Sequence, residues 1–266
     1  MTHWRMMNIR KITIGTIALA ALALAGCAPA GDEGEAPAAD ECDVVEHAMG
    51  LRWQQQSAEA RALQGQVYRF AEQRLEELVA EADEGADLAI ITDLDETAVD
   101  NTELLARDVA ECHDYSVWDT WDHWEREGEA TLIPGALAFF ERADELGVSV
   151  YYVSDRTEEN HGDTVAMLEK LELPQVEDDR VLLLGPPKEE RRAAVQAEHE
   201  VIMQLGDTLH DFDASFAGAD LETQRALVEE HADRFGNDWI VLPNATYGSW
   251  EDAELRAWDA PLEVEE

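Results

Sequence analysis

The stretch IITDLDETAVDN, Ile90 to Asn101, decides how this chain is read. A run of branched apolar residues ends in Asp93, Leu94 and Asp95, with Glu96 and Asp100 close behind. Like charges this near repel, and a buried carboxylate is costly unless it is paired or bound to a metal. The run is therefore either a solvated turn in an acidic protein or a set of carboxylates that share a cation and do chemistry.

On either side, short apolar runs alternate with helical stretches. Leu88 to Thr92, Val148 to Val153, Val181 to Leu184, Val201 to Leu205 and Trp239 to Leu242 read as strands. Helices are predicted over Asn101–Ala110, Pro134–Leu146, Thr164–Leu171 and Lys188–Glu198, with Pro134 in a first turn and Gly147 as a stop. Val44 to Ala82 reads as helix throughout, with Gly50 and Gly65 as candidate breaks. His113 to Thr131 is Trp-rich and without clear period, and it reads as part of an inserted cap over about residues 102–133. The expected fold is α/β: a doubly wound parallel sheet preceded by N-terminal helices and carrying that small cap. In such sheets the ligand site lies beyond the carboxyl ends of the strands. Those ends carry Asp93 and Asp95, then Ser154, Asp155 and Arg156, then Lys188, then Asp207. Hard oxygen ligands, a hydroxyl and an ammonium suit Mg²⁺ and an anionic phosphate.

These four strand ends resemble the four motifs of the haloacid dehalogenase (HAD) superfamily: DLDET, VSDR, Lys188 and GDTLHD. The likeness narrows to the class C bacterial acid phosphatases. WQQQSAEARAL (Trp53–Leu63) is similar to that family's N-terminal helix signature, and LPNATYGSWE (Leu242–Glu251) to its C-terminal one. Two departures stand out. Ala60 occupies a position where the family commonly has Tyr, and Asp155 one where it commonly has Asn. The resemblance implies that Asp93 is the nucleophile, forming an aspartyl-phosphate, and that Asp95 protonates the leaving alcohol and then activates water. It implies a Mg²⁺ site made by Asp93, the backbone carbonyl of Asp95 and Asp207, with Asp211 holding metal-bound water. Ser154, Asp155 and Lys188 form the expected phosphate subsite. Of the cap tryptophans Trp118, Trp121 and Trp124, Trp121 is expected to stack with Tyr247 on an aromatic leaving group such as a nucleobase; core packing is the competing reading. The expected substrates are phosphate monoesters, nucleoside 5′-monophosphates among them. A phosphotransferase, or a binding lipoprotein on the same fold, is the alternative. The histidines show no metal spacing, and His210 reads as structural.

The chain has 266 residues and is 45% apolar, enough for one sizeable core. Its formal charge of −41 argues against binding a nucleic-acid polymer, which needs Lys and Arg. Lysine occurs only at Lys11, Lys170 and Lys188. Such a surface suits high salt, where screening removes self-repulsion, and equally a periplasmic protein of low pI.

Residues 1–26 read as a signal peptide: basic Arg5, Arg10 and Lys11, then an apolar run from Ile12 to Leu24. Leu24-Ala25-Gly26-Cys27 resembles a bacterial lipobox, which makes Cys27 the lipidated first residue of the mature chain. Residues 27–43, rich in Ala, Pro, Gly and acid, read as a tether to a domain over residues 44–266. The protein is then expected outside the cytoplasm, anchored to a bacterial membrane through Cys27. Export permits a disulfide, and Cys42 and Cys112 are the two cysteines left to form one or to stay free. Cys27→Ser is expected to abolish incorporation of labelled palmitate; labelling that survives the change rules out the anchor.

Overall fold

The computed structural model describes residues 42–251 and 253–261. The expected signal peptide, Cys27 and nearly all of the tether lie outside the described residues. In chain order the helices are α1 (Ala48–Gln56), α2 (Ala58–Glu81), α3 (Thr102–Ala110), α4 (Trp121–Glu127), α5 (Ala136–Glu145), α6 (His161–Lys170), α7 (Lys188–Glu198) and α8 (Leu221–Glu230). The strands are β1 (Leu88–Thr92), β2 (Val99–Asp100), β3 (Thr131–Leu132), β4 (Ser149–Thr157), β5 (Val181–Leu184), β6 (Glu200–Gly206) and β7 (Trp239–Val241).

Five strands form a parallel sheet in the order β5-β4-β1-β6-β7. Every residue of β1 is buried, as a central strand covered on both faces requires. Alternate side chains serve alternate faces. Leu88 and Ile90 join Tyr68 and Leu75 of α2 and Phe139 and Phe140 of α5 in the main core. Ala89 and Ile91 pack with Val195 of α7 in a second cluster. Burying a side chain such as Phe140 contributes about 1.5–3 kcal/mol.

Several boundaries differ from the sequence reading. The N-terminal helical stretch breaks at Ser57, which caps α2 by accepting from Ala60 N (2.9 Å), and not at Gly50 or Gly65. Gly50 lies inside α1 for another reason: a Cβ there would overlap the carbonyl of Ala245. Ala60 is fully buried near the start of α2. The stretch His113–Thr131 contains helix α4, and its end, β3, pairs antiparallel with β2, a strand too short to show a period. Helix α8 is not among the helices that the sequence pattern predicts. It packs Leu227 and Val228 on Phe212, Phe216 and Trp239 beside β7.

Cys42 and Cys112 are joined in a disulfide across a separation of 70 residues. The bridge ties the start of the described chain to the end of α3, at the base of the cap. Closing a loop this long restricts the unfolded chain, and Cys112→Ser is expected to lower unfolding free energy by about 4 kcal/mol. Urea denaturation measures this, and an unchanged midpoint would show that the bridge does not stabilise the fold.

Candidate active site

Parallel pairing brings the strand ends together. Asp93 N donates to Leu205 O (2.9 Å), so Asp93 extends the β1–β6 ladder to the edge of Gly206 and Asp207. Gly206 is required there, because a Cβ would overlap the side chain of Asp211. Lys188, the first residue of α7, reaches in after the Pro186-Pro187 turn. Its ammonium lies 2.7 Å from Asp93 Oδ1 and 2.6 Å from Asp211 Oδ1.

One ammonium thus serves two carboxylates. Burial raises the pKa of Asp211, but Lys188 and His210 outweigh it, and the net shift is downward. Asp93 moves the other way: burial pushes it up, and Lys188 does not overcome the added repulsion from Asp211 and Asp95. Lys188 is held charged; burial opposes this, but Asp211 and Asp93 prevail. Asp207 is raised well above the usual range by burial, then by Asp211 and Asp93. It forms no ion pair among the described residues and accepts only from Asn244 Nδ2 (2.7 Å) and Thr97 Oγ1 (3.2 Å). Ligand oxygens of Asp93, Asp207 and Asp211 lie within 4.8 Å of one another. Two buried carboxylates and a half-buried one, with a single lysine, leave a deficit of positive charge, and their hard oxygens fit a divalent cation of the Mg²⁺ or Ca²⁺ kind. Both oxygens of Asp211 are already engaged, Oδ1 by Lys188 and Oδ2 by Thr208 N and Oγ1 (2.9 and 2.8 Å).

Asp95 takes a different set of partners from Asp93. Its carboxylate accepts from Arg156 Nε and Nη2 (2.9 and 2.7 Å), from Asn101 Nδ2 (3.0 Å) and from Ser154 Oγ (3.0 Å). Ser154 is fully buried behind Asp95, so the hydroxyl expected on a phosphate oxygen is here directed at the carboxylate. Asp155 lines the cavity, but its carboxylate is engaged by Arg191 and lies 3.5 Å from His210 Nε2. Burial opposes its ionisation, yet the bond to His210 and the charges of Lys188 and Arg191 pull its pKa well below normal. It therefore buttresses Arg191, which also donates to Ser154 O (2.6 Å). Sequence position alone gives Arg156, Arg191 and Asn101 no role, and the structure shows them holding Asp95, Ser154 and Asp155. The fork of Arg156 next to VSD was the available signal.

A cavity of about 830 Å³ opens beyond these groups. Trp118, Trp121 and Tyr247 form one wall, with ring centroids 5.5 Å apart for Trp118–Trp121 and 5.2 Å for Trp118–Tyr247. Trp121 and Tyr247 are only 8% and 9% exposed, whereas Trp118 is 48% exposed. Of these three rings the free face is that of Trp118, with the two expected stacking residues packed around it, and Trp250, 45% exposed, lines the same cavity. The Tyr247 hydroxyl is bound to Glu96, which sits at φ 57° and is completely buried.

The family model described as HAD superfamily, subfamily IIIB (acid phosphatase) matches residues 35–250. Among solved structures, a class C acid phosphatase from Bacillus anthracis is 32% identical, with a TM-score of 0.74 over 79% of this chain and 88% of that one. A structure of the class C acid phosphatase from Bacillus anthracis with tungstate bound is 30% identical, with a TM-score of 0.75 over 82% of this chain and 93% of that one.

Burial, and then Asp95, raise the carboxyl of Glu96 from 4.5 to about 8, against the bonds from Tyr247 and Asn101. A group that holds its proton more tightly when folded stabilises fully below its unfolded pKa and loses that contribution as pH rises to the folded one. With metal removed by EDTA, stability is expected to fall between pH 4.5 and 8, and Glu96→Gln to flatten that fall by up to about 1.4 kcal/mol per pH unit. Parallel urea-unfolding profiles for the two proteins would refute it.

Proposed function

The chain belongs to the acid phosphatases of HAD subfamily IIIB and is a phosphomonoesterase; from that premise we propose that it acts through an aspartyl-phosphate on Asp93, with Mg²⁺ as cofactor, on phosphate monoesters with aromatic leaving groups, nucleoside 5′-monophosphates among them. The observation that carries this reading is the unequal partnering of Asp93 and Asp95. Asp93 lies at the cavity beside Lys188, and Asp95 is held by Arg156 and Asn101.

In this mechanism an Asp93 oxygen bonds to phosphorus as the ester bond breaks. Asp95 gives the ester oxygen a proton and later removes one from the water that releases phosphate. Lys188 offsets charge on Asp93 and on the transferring group. Asp93, Asp207 and the backbone carbonyl of Asp95 would hold the metal, with Asp211 behind them. The cation, when bound, screens the anionic nucleophile from the anionic ester. Ser154 reaches a phosphate oxygen only by turning away from Asp95. The tungstate held by the Bacillus anthracis relative is a tetrahedral oxyanion like phosphate, which supports an oxyanion subsite here. Trp118 supplies the exposed face for the leaving group, supported from behind by Trp121 and Tyr247. Lipid anchoring through Cys27 to a bacterial membrane, either the outer membrane or the outer face of the cytoplasmic one, completes the proposal.

Rapid-quench kinetics with a nucleoside monophosphate and a small aliphatic phosphate test the assignments together. Asp93→Asn is expected to form no phosphoenzyme, and EDTA to stop turnover until Mg²⁺ is restored. Trp118→Ala should weaken nucleotide turnover by about 1–3 kcal/mol and spare the aliphatic ester. A phosphoenzyme in Asp93→Asn, or equal losses on both esters in Trp118→Ala, would overturn the corresponding assignment.

A further inference from the structure

The cap helix α4 does more than wall the cavity. Trp124 Nε1 donates to Asn101 Oδ1 (2.8 Å), and the same oxygen accepts from Arg156 Nη2 (3.1 Å). Asn101 Nδ2 in turn donates to Asp95 Oδ1. The next cap residue, Glu125, accepts from Thr157 N (3.1 Å) and from Asn160 Nδ2 (2.8 Å), which fixes the chain on the far side of Arg156. Arg156, Asn101 and Glu125 are all buried, so these bonds are sheltered from competing water. The Arg156 fork gives both Nε and Nη2 to Asp95 Oδ1, and Nε also reaches Oδ2 (3.2 Å), so the guanidinium contacts both carboxylate oxygens and restrains their orientation as well as their distance.

We infer that Arg156 and Asn101 are positioning residues that aim the Asp95 carboxyl at the leaving-group oxygen, and that Trp124 and Glu125 of the cap hold them in register. The inference rests on Asp95 being the proton donor. As an Asp93 oxygen bonds to phosphorus and the bond to the ester oxygen breaks, the Asp95 proton passes to that oxygen and the alcohol departs. In the second half, Asp95 takes a proton from water, the water oxygen bonds to phosphorus, and the bond to Asp93 breaks, giving inorganic phosphate. Ser154 also contacts Asp95, but a single hydroxyl cannot fix a carboxylate plane and serve phosphate at once. The Arg156 fork keeps Asp95 aimed when Ser154 turns away. Because α4 also carries Trp121, a leaving group pressed against the aromatic wall bears on the same helix that sets Asp95.

The test is the dependence of kcat/KM on leaving-group acidity, measured with p-nitrophenyl, phenyl and alkyl phosphates and Mg²⁺ present. A poor leaving group needs the proton and a nitrophenolate hardly does. Arg156→Lys keeps the charge and removes the fork. It is expected to lower kcat/KM for the alkyl ester by about 10- to 100-fold, and that for p-nitrophenyl phosphate by about 3-fold or less. Trp124→Phe removes the N–H donor together with part of the ring, keeps an aromatic side chain in the packing, and should steepen the same dependence by a few-fold (about 3). A merely structural role would lower all esters alike. Asp95→Asn, run in parallel, separates the possible failures. A flat profile in Asp95→Asn would overturn the proton-donor reading and this inference with it. A steep profile in Asp95→Asn beside uniform losses, or none, in both Arg156→Lys and Trp124→Phe would overturn the positioning role alone.

Discussion

Lys188 Nζ stands between Asp93 and Asp211 at 2.7 and 2.6 Å, and the geometry of the site depends on that shared ammonium. Parallel pairing of β1 with β6 forces Asp93 and Asp207 onto neighbouring strand ends, with Asp211 a short turn beyond. Without a cation the three carboxylates would repel one another in a buried setting, where removing one partner of an ion pair costs about 3–5 kcal/mol. The lysine answers only part of that charge. Asp207 is left with neutral donors, and the remaining demand for a divalent cation follows from the packing of the sheet.

The wall facing this centre is assembled from parts distant in sequence. Leu242 N donates to Gly206 O (2.8 Å), Asn244 holds Asp207, and Tyr247 holds Glu96. From the outside, Gln54 Nε2 donates to Pro243 O (2.9 Å) and the Tyr115 hydroxyl to Thr246 O (2.6 Å). The C-terminal segment is thereby clamped between α1 and the cap, and the Cys42–Cys112 bridge joins those same two regions. Of the three rings, Tyr247 is pinned through its hydroxyl, Trp121 is held by packing, and Trp118 is left as the accessible face.

This construction separates two jobs that a pair of nearby aspartates would otherwise confuse. Asp93 is governed by the sheet and Lys188, and Asp95 by the strand end of β4 and the cap. Asp155 is paired in the same way: its charge is neutralised by Arg191, so this carboxylate lines the cavity without an unpaired negative charge.

The alternation of apolar runs and helices was legible in the sequence because strand and helix periods are local, and so were the strand ends that gather Asp93, Asp95, Lys188 and Asp207. Burial on both faces made β1 a continuous apolar run, readable without any partner. What the sequence could not display was which groups face one another. The two-residue strands β2 and β3 and helix α8 are set by contacts outside their own segments, whereas the break at Ser57 is a local cap on Ala60 N. The position of Ser154 at a strand end points its hydroxyl to phosphate, yet it donates instead to the carboxylate of Asp95, from another segment. Trp118, Trp121 and Tyr247 are alike as residue types, and only packing decided which ring stays exposed. The identities of the charged groups at the strand ends were determined by the sequence itself; their pairing was decided by tertiary structure, because hydrogen bonds and ion pairs depend on distance in space and not along the chain.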